Sequence, residues 1–289
     1  GVLALEQERA ALQDERKALK IPSTPVLVAI GAEMRRTTHI FDKGNFLSPL
    51  EEVEARVPSA FTWGDGAVSD RLEFARWLTH PGNPLTPRVA VNRVWSRLFG
   101  RGLVLTEEDF GAQGSMPTHP DLLDWLAAEY QSHWSQKQLL KTIVMSATYR
   151  QASTVTPEKL ERDPLNVLLS RGARFRLPAE AVRDQALLVS GLLSRKMFGP
   201  SVFPPQPDGL WQAAFNGQRS WVTDTDENRW RRGVYVFWRR STPYPSMTVF
   251  DAPSRETCTI RRIRTNTPLQ AFVTLNDPVF MEAAQSLAR

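Results

Sequence analysis

Residues Phe250 to Phe280 read FDAPSRETCTIRRIRTNTPLQAFVTLNDPVF. The second half of this stretch holds two helix starts, Thr267-Pro268 and Asp277-Pro278. In each, a side chain able to cap the helix precedes a proline. Proline suits the first helical position, because the N–H it lacks would have no helical partner there. The spacing predicts helices over 268–275 and 278–288. The first half packs the only cysteine, Cys258, together with Arg255, Arg261, Arg262 and Arg264. That density of polar groups is too specific for a generic core segment.

The same start signature recurs upstream at Thr86-Pro87, His119-Pro120, Thr156-Pro157 and Asp163-Pro164. Asp70 with Glu73, and Ser135 with Gln138, have the spacing of a reciprocal cap. These signals predict helices over 71–79, 87–99, 120–131, 136–147 and 178–194, with Gly100 ending the second. Apolar faces at helical spacing follow: Val89, Val94, Trp95 and Leu98; Leu122, Leu126 and Tyr130; Leu139, Leu140, Ile143 and Val144. Residues 3–20 read as an exposed helix with Leu5, Leu12 and Leu19 one heptad apart, broken by Ile21 to Pro25. Val26 to Ile30 and Val234 to Trp238 read as short strands, and residues 31–68 as an extended, loop-rich segment. Residues 199–225, with Pro200, Pro204, Pro205, Pro207 and Gly209-Leu210-Trp211, read as a long ordered wrap. The expected fold class is mainly α: a helical bundle-like single domain over 21–289, with a few short β-strands and a long Pro/Trp/Arg-rich wrapping segment. Residues 1–20 are expected to be the remnant of a helical linker. The chain opens at Gly1 in mid-pattern and reads as a piece of a longer protein.

The composition narrows the function classes. The chain has 289 residues, 42% apolar and 23% charged, which is ordinary for a globular protein. No apolar run reaches the roughly 18 residues of a membrane span, so none is expected. The first twenty residues, rich in Glu, Gln, Arg and Lys, do not resemble a signal peptide. One cysteine excludes an internal disulfide and a multi-cysteine zinc site. His39, His80, His119 and His133 are far apart, and none has the i, i+4 spacing of a zinc-protease pair. His119, just before Pro120, is expected to cap a helix. There is no phosphate-binding glycine loop and no G-x-S-x-G elbow. The net charge is +5, and arginine dominates it. No lysine follows Lys196, and nine arginines between Arg229 and Arg264 face only Asp251 and Glu256. The guanidinium fork binds carboxylate, sulfate or phosphate bidentately. Nucleic acid is not an expected partner, since the whole-chain excess is modest and basic nucleic-acid binders usually carry a lysine–arginine mixture on a solvated face.

Four blocks then stand out: NPLTPRVAVNRVWSRLFGRGLV (Asn83–Val104), DFGAQGSMPTHPDLLDWLA (Asp109–Ala127), SATYRQAS (Ser146–Ser153) and the opening segment, with RRTTHIFDKGN (Arg35–Asn45) ahead of them. In this order they resemble the planctomycete-type domain of unknown function 1553, over roughly residues 35–289. The resemblance implies a domain lying C-terminal to cytochrome-c-like domains in large exported proteins. It therefore implies extracytoplasmic placement and a cytochrome-c-like domain as partner. Haem would belong to that neighbouring domain, since this chain has no C-x-x-C-H and none of its residues is expected to hold a cofactor. It implies no reaction.

The candidate site residues are Arg255, Glu256, Cys258, Arg261, Arg262, Asn266, Trp211, Arg239 and Arg240. Arg255-Glu256 and Arg261-Arg262 read either as an ion-pair lattice or as a cationic pocket floor, with Asn266 and Asn276 as amide donors. Asn92-Arg93 can join either arrangement. Cys258 reads as a small buried hydrophobe or as a thiol activated by adjacent cations. Glu107, Glu108 and Asp109 are a candidate acid/base cluster or a helix N-terminus. Trp77, Trp95 and Trp125 are expected in the core. Trp211, Trp221, Trp230 and Trp238 lie among arginines and read either as a cap on the hydrophobic end of the bundle or as a composition that suits sugar rings with acidic substituents. The expected function is a non-catalytic binding or assembly module of an extracytoplasmic, cytochrome-linked protein, with an acidic glycan (an acidic polysaccharide) as its candidate ligand. An enzyme acting on polysaccharide or another extracellular substrate is the alternative, and a structural partner of the haem domain is a third reading.

Overall fold

The computed structural model describes residues 2–19, 25–28, 30–63 and 66–289. The fold is mainly α: among the described residues there are eleven helices and a single two-stranded sheet. Contacts divide the chain into two compact units, Gly1–Phe74 and Ala75–Arg289.

The first unit opens with α1 (Val2–Ala18), which buries no residue; Leu5, Leu12 and Leu19 are all exposed. Apart from Pro25, the expected break at Ile21–Pro25 lies outside the described residues. Residues 25–28 and 30 form no strand, contrary to expectation, and are largely exposed. The loop-rich segment instead contains a hairpin, β1 (Thr38–Phe41) with β2 (Pro49–Val53), paired Thr38 to Val53 and His39 to Glu52.

α2 (Arg71–Leu78) starts as the sequence indicates. Asp70 accepts the Glu73 N–H at 2.8 Å, while Glu73 reaches back to the Ser69 N–H at 2.6 Å. α3 (Leu85–Phe99) begins two residues earlier than Thr86-Pro87 implies. Asn83, not Thr86, is the cap: its Oδ1 accepts the N–H groups of Leu85 and Thr86. Gly100 ends α3 at φ 81°, as expected. α4 (Pro120–His133) and α5 (Gln136–Met145) complete the first core. His119 stands before α4, but its ring contacts Thr118 Oγ1 rather than capping the helix. Val91, Trp95 and Phe99 form one face of α3 at i, i+4 spacing, buried with Leu123, Leu126, Tyr130, Leu139 and Ile143. The Trp95 and Phe99 rings stack at 4.1 Å. Each such side chain contributes about 1.5–3 kcal/mol of burial. Trp125 and Leu140 are exposed, against expectation, because α4 and α5 turn these positions outward. The loop after α3 is closed by Asn92, fully buried, which bonds both the N–H and the carbonyl of Val104. Gly102 permits this turn, since a Cβ there would lie 2.4 Å from Val104 O.

Thr156 caps α6 (Pro157–Arg162), but Asp163-Pro164 is no helix start. The Asp163 carboxylate is buried and accepts the N–H groups of Val167, Leu168 and Ser170, holding a loop closed. α7 (Ala179–Val189) stops short of 194 because Ser190 and Gly191, the latter at φ 76°, turn the chain. After it come α8 (Leu210–Ala214), α9 (Pro245–Val249), α10 (Pro268–Asn276) and α11 (Pro278–Leu287). Asp277 caps α11 through the Val279 N–H; Thr267 precedes α10 without a side-chain bond. The second core gathers Ala179, Val202, Val236, Tyr244, Met247, Phe250 and Phe280. Val234–Trp238 is not a strand. Gly233–Tyr235 is a 3₁₀ turn, and only a single parallel bridge joins Val202 to Val236. The Gly233 N–H goes to Asp184 at 2.6 Å rather than to a neighbouring strand.

Candidate functional site

The stretch 260–264 crosses the end of α3 and leaves a cleft of about 290 Å³. One wall is Ser96, Arg97, Gly100 and Glu107; the other runs from Ile260 to Arg264. Four guanidinium groups line it: Arg97, Arg261, Arg262 and Arg264. They differ in how they are held. Arg262 donates to Glu180 at 2.6 Å. Burial opposes the charge on Glu180, but the Arg262 bond, a backbone N–H and the Arg262 and Arg255 charges outweigh it and hold its pKa below the usual value. Arg264 donates to Gly100 O at 3.0 Å and lies 4.6 Å over the Phe175 ring. Burial lowers the Arg264 pKa, and the Arg97 and Arg176 cations lower it further, with Glu107 opposing. Arg97 and Arg261 are exposed and bond no carboxylate or carbonyl among the described residues. Glu107 is buried and accepts a hydrogen bond from Ser96 Oγ at 3.1 Å. With Arg262 balanced by Glu180, Glu107 faces three further cations, and an anion entering the cleft meets an excess of positive charge.

The structure separates the remaining sequence candidates. Arg261 and Arg262 line the cleft together, whereas Arg255 lies 4.6 Å over the Trp238 ring. Glu256, Cys258 and Asn266 are exposed, and Asn276 donates to Phe272 O within α10. Exposure of Cys258 corrects the expectation of a buried hydrophobe: residues 254–259 lie on the surface, away from both cores. Trp211 is buried against Trp221, Phe215 and Phe237, with Arg239 4.7 Å over Phe215. Trp221 donates to Pro204 O at 2.8 Å. These rings form a packed aromatic cluster, not a flat platform open to solvent. Arg240 is exposed. Glu108 is exposed and Asp109 half-buried, and neither lines the cleft; no helix follows Thr106, whose hydroxyl instead donates to Asp109 O. Asn92 is committed to Val104.

Sequence reasoning did not pick out Arg97, Arg264 or Ser96 as site residues. Their signal was the C-cap Gly100, which places Ser96 and Arg97 in the last turn of α3. No pattern in the sequence brings that turn beside 260–264. Among the described residues, no three His, Cys, Asp or Glu side chains gather as a metal site requires. Among them, too, no helix is long and apolar enough to cross a membrane.

A family model described as PSD1, protein of unknown function (DUF1553), matches residues 70–289. No curated protein and no solved structure matches the chain.

Proposed function

We propose that this chain, which belongs to the DUF1553 family, is a binding module that holds an acidic polysaccharide through its arginine-lined cleft. The observation that carries the reading is the pair Arg97 and Arg261. Where Arg176, Arg183, Arg231 and Arg264 each donate to backbone carbonyls, these two face a cleft with no carboxylate or carbonyl partner among the described residues. Arg264 and Arg262, each held by its own bonds, fix the rim, so the cleft is preorganised and an entering carboxylate or sulfate need not order it. The placement implied by the family resemblance, outside the cytoplasm and joined to a cytochrome-c-like domain, is part of this proposal. Retention on immobilised polygalacturonate and heparin, measured across salt concentrations, tests it. Retention is expected to weaken as salt rises, because exposed charges are screened over about 8–10 Å at physiological ionic strength. Absence of salt-sensitive retention on either polymer sinks the reading.

A second reading, an enzyme acting on the same polymer, rests on Glu107, the one carboxylate lining the cleft. It requires that incubation shorten the polymer and that Glu107→Gln stop the shortening.

A further inference from the structure

A second, larger cavity of about 730 Å³ opens beside Phe99, Tyr149 and Phe175, with Gln151, Ser153 and Arg174 at its edge. Three aromatic rings with an amide, a hydroxyl and a cation around them make a lining unlike that of the arginine cleft. Tyr149 is exposed, its ring set edge-on to Phe99 at 5.7 Å. The Gln151 amide donates to Thr148 O and Leu169 O, which fixes the side chain and leaves its carbonyl oxygen as an acceptor. Arg174 is exposed and has no ion pair or hydrogen bond among the described residues. Gly172 keeps the floor low, since a Cβ there would lie 2.6 Å from Gln151 O.

The wall between the two cavities is thin. Gly100 lines the smaller and Phe175 the larger, yet a Cβ built on Gly100 would stand only 2.7 Å from the Phe175 ring. Arg264 lines the smaller and lies over the face of that same ring. We infer that the two cavities are consecutive subsites for one polymer chain: the arginine cleft takes an acidic sugar, and the Tyr149–Phe175 cavity takes an adjoining uncharged sugar. An aromatic ring packs on the CH face of a pyranose, while Gln151, Ser153 and Arg174 meet its hydroxyls. This rests on the reading of the arginine cleft as an acidic-sugar site and specifies the ligand further, as a heteropolymer of acidic and neutral units.

The test measures binding of hyaluronan hexasaccharide, in which glucuronate alternates with N-acetylglucosamine, and of free glucuronate. The hexasaccharide is expected to bind more tightly than glucuronate. Tyr149→Ala is expected to weaken hexasaccharide binding about tenfold and leave glucuronate unchanged. Arg261→Ala is expected to weaken both ligands. Arg174→Gln, at an exposed side chain with no hydrogen bond or ion pair among the described residues, checks the same subsite should Tyr149→Ala unfold. If Arg261→Ala weakens both ligands while Tyr149→Ala and Arg174→Gln weaken neither, the second subsite is overturned and the acidic-sugar site stands. If neither ligand binds the wild-type chain, both readings fall.

Discussion

The two cores of the Ala75–Arg289 unit are held in different ways. The α3–α5 core is apolar, and helices satisfy most of its backbone internally; its main polar device is Asn92 on Val104. The core around α7, α9 and α11 is built largely from irregular chain, whose carbonyls have no helical or ladder partner and must still be bonded when buried. Arginine bonds them. Arg183 donates to Arg231 O and Arg229 O. Arg231, almost wholly buried, donates to Pro200 O, Lys196 O and Phe198 O and stacks 3.9 Å over Tyr235. Arg176 reaches Leu177 O, Phe250 O and Thr265 O while pairing with Asp251. Tyr244 adds a bond to Pro205 O, and Trp238 one to Ser254 O. A guanidinium suits this work because it carries five donors in a rigid fork and no acceptor. In this core arginine is therefore a means of bonding irregular, proline-rich chain, and the cleft arginines Arg97 and Arg261 stand outside that role.

The contrast breaks first at Arg231. Arg231→Met removes the donor to three carbonyls in a buried position, and unfolding by denaturant is expected to show a loss of about 3–5 kcal/mol. A loss as small as a surface change would show that the carbonyls do not depend on it. Asp163→Ala tests the same logic with the roles reversed. Three N–H groups lose their acceptor, and about 2–3 kcal/mol should go, while Asp163→Asn, which keeps an acceptor oxygen, should lose less.

Arg262→Ala is expected to cost about 1–2 kcal/mol through its bond to the half-buried Glu180. That pair also sets a pH dependence. The Glu180 pKa is depressed below its ordinary 4.5 in the folded chain. Its stabilisation is thus fully present above that value and is lost as pH falls through the lower folded value. Denaturant midpoints followed from pH 6 downwards should show a shallower acid loss in Arg262→Ala than in wild type. An identical acid limb would remove Glu180 from the account. The smallest expected effect is at Cys258: the native chain should react with a thiol reagent without prior unfolding, and Cys258→Ser should leave the melting temperature unchanged.

The same contrast explains what the sequence made legible. Helix starts carrying Thr156 and Asp277, and the stop at Gly100, act over one turn of chain, so local spacing reveals them. Asp163-Pro164 carries the same local signature but closes a loop, because its carboxylate accepts the amides of Val167, Leu168 and Ser170 across the turn instead of capping a helix. Val234–Trp238 has the composition of a strand, yet no ladder neighbour extends beyond Val202, and no local pattern encodes that. The mixture of arginine and aromatics at Trp211 suited either a packed hydrophobic cap or a sugar platform. Packing buried that ring and left the open cleft at α3's end, where two stretches about 160 residues apart meet. Arg261 and Arg262 are adjacent in sequence, but one is exposed in the cleft and the other is tied to Glu180, a difference that depends on which residue of the loop faces α7.

The most direct measurement compares Arg97→Ala/Arg261→Ala with Arg231→Met in two assays, thermal unfolding and salt-dependent retention on polygalacturonate. The double variant is expected to keep the wild-type melting temperature and lose most of its salt-sensitive retention, whereas Arg231→Met should melt well below wild type. A double variant that melts early, or that binds the polymer as wild type does across the salt range, would contradict the division of these arginines into those that fold the chain and those that serve its cleft.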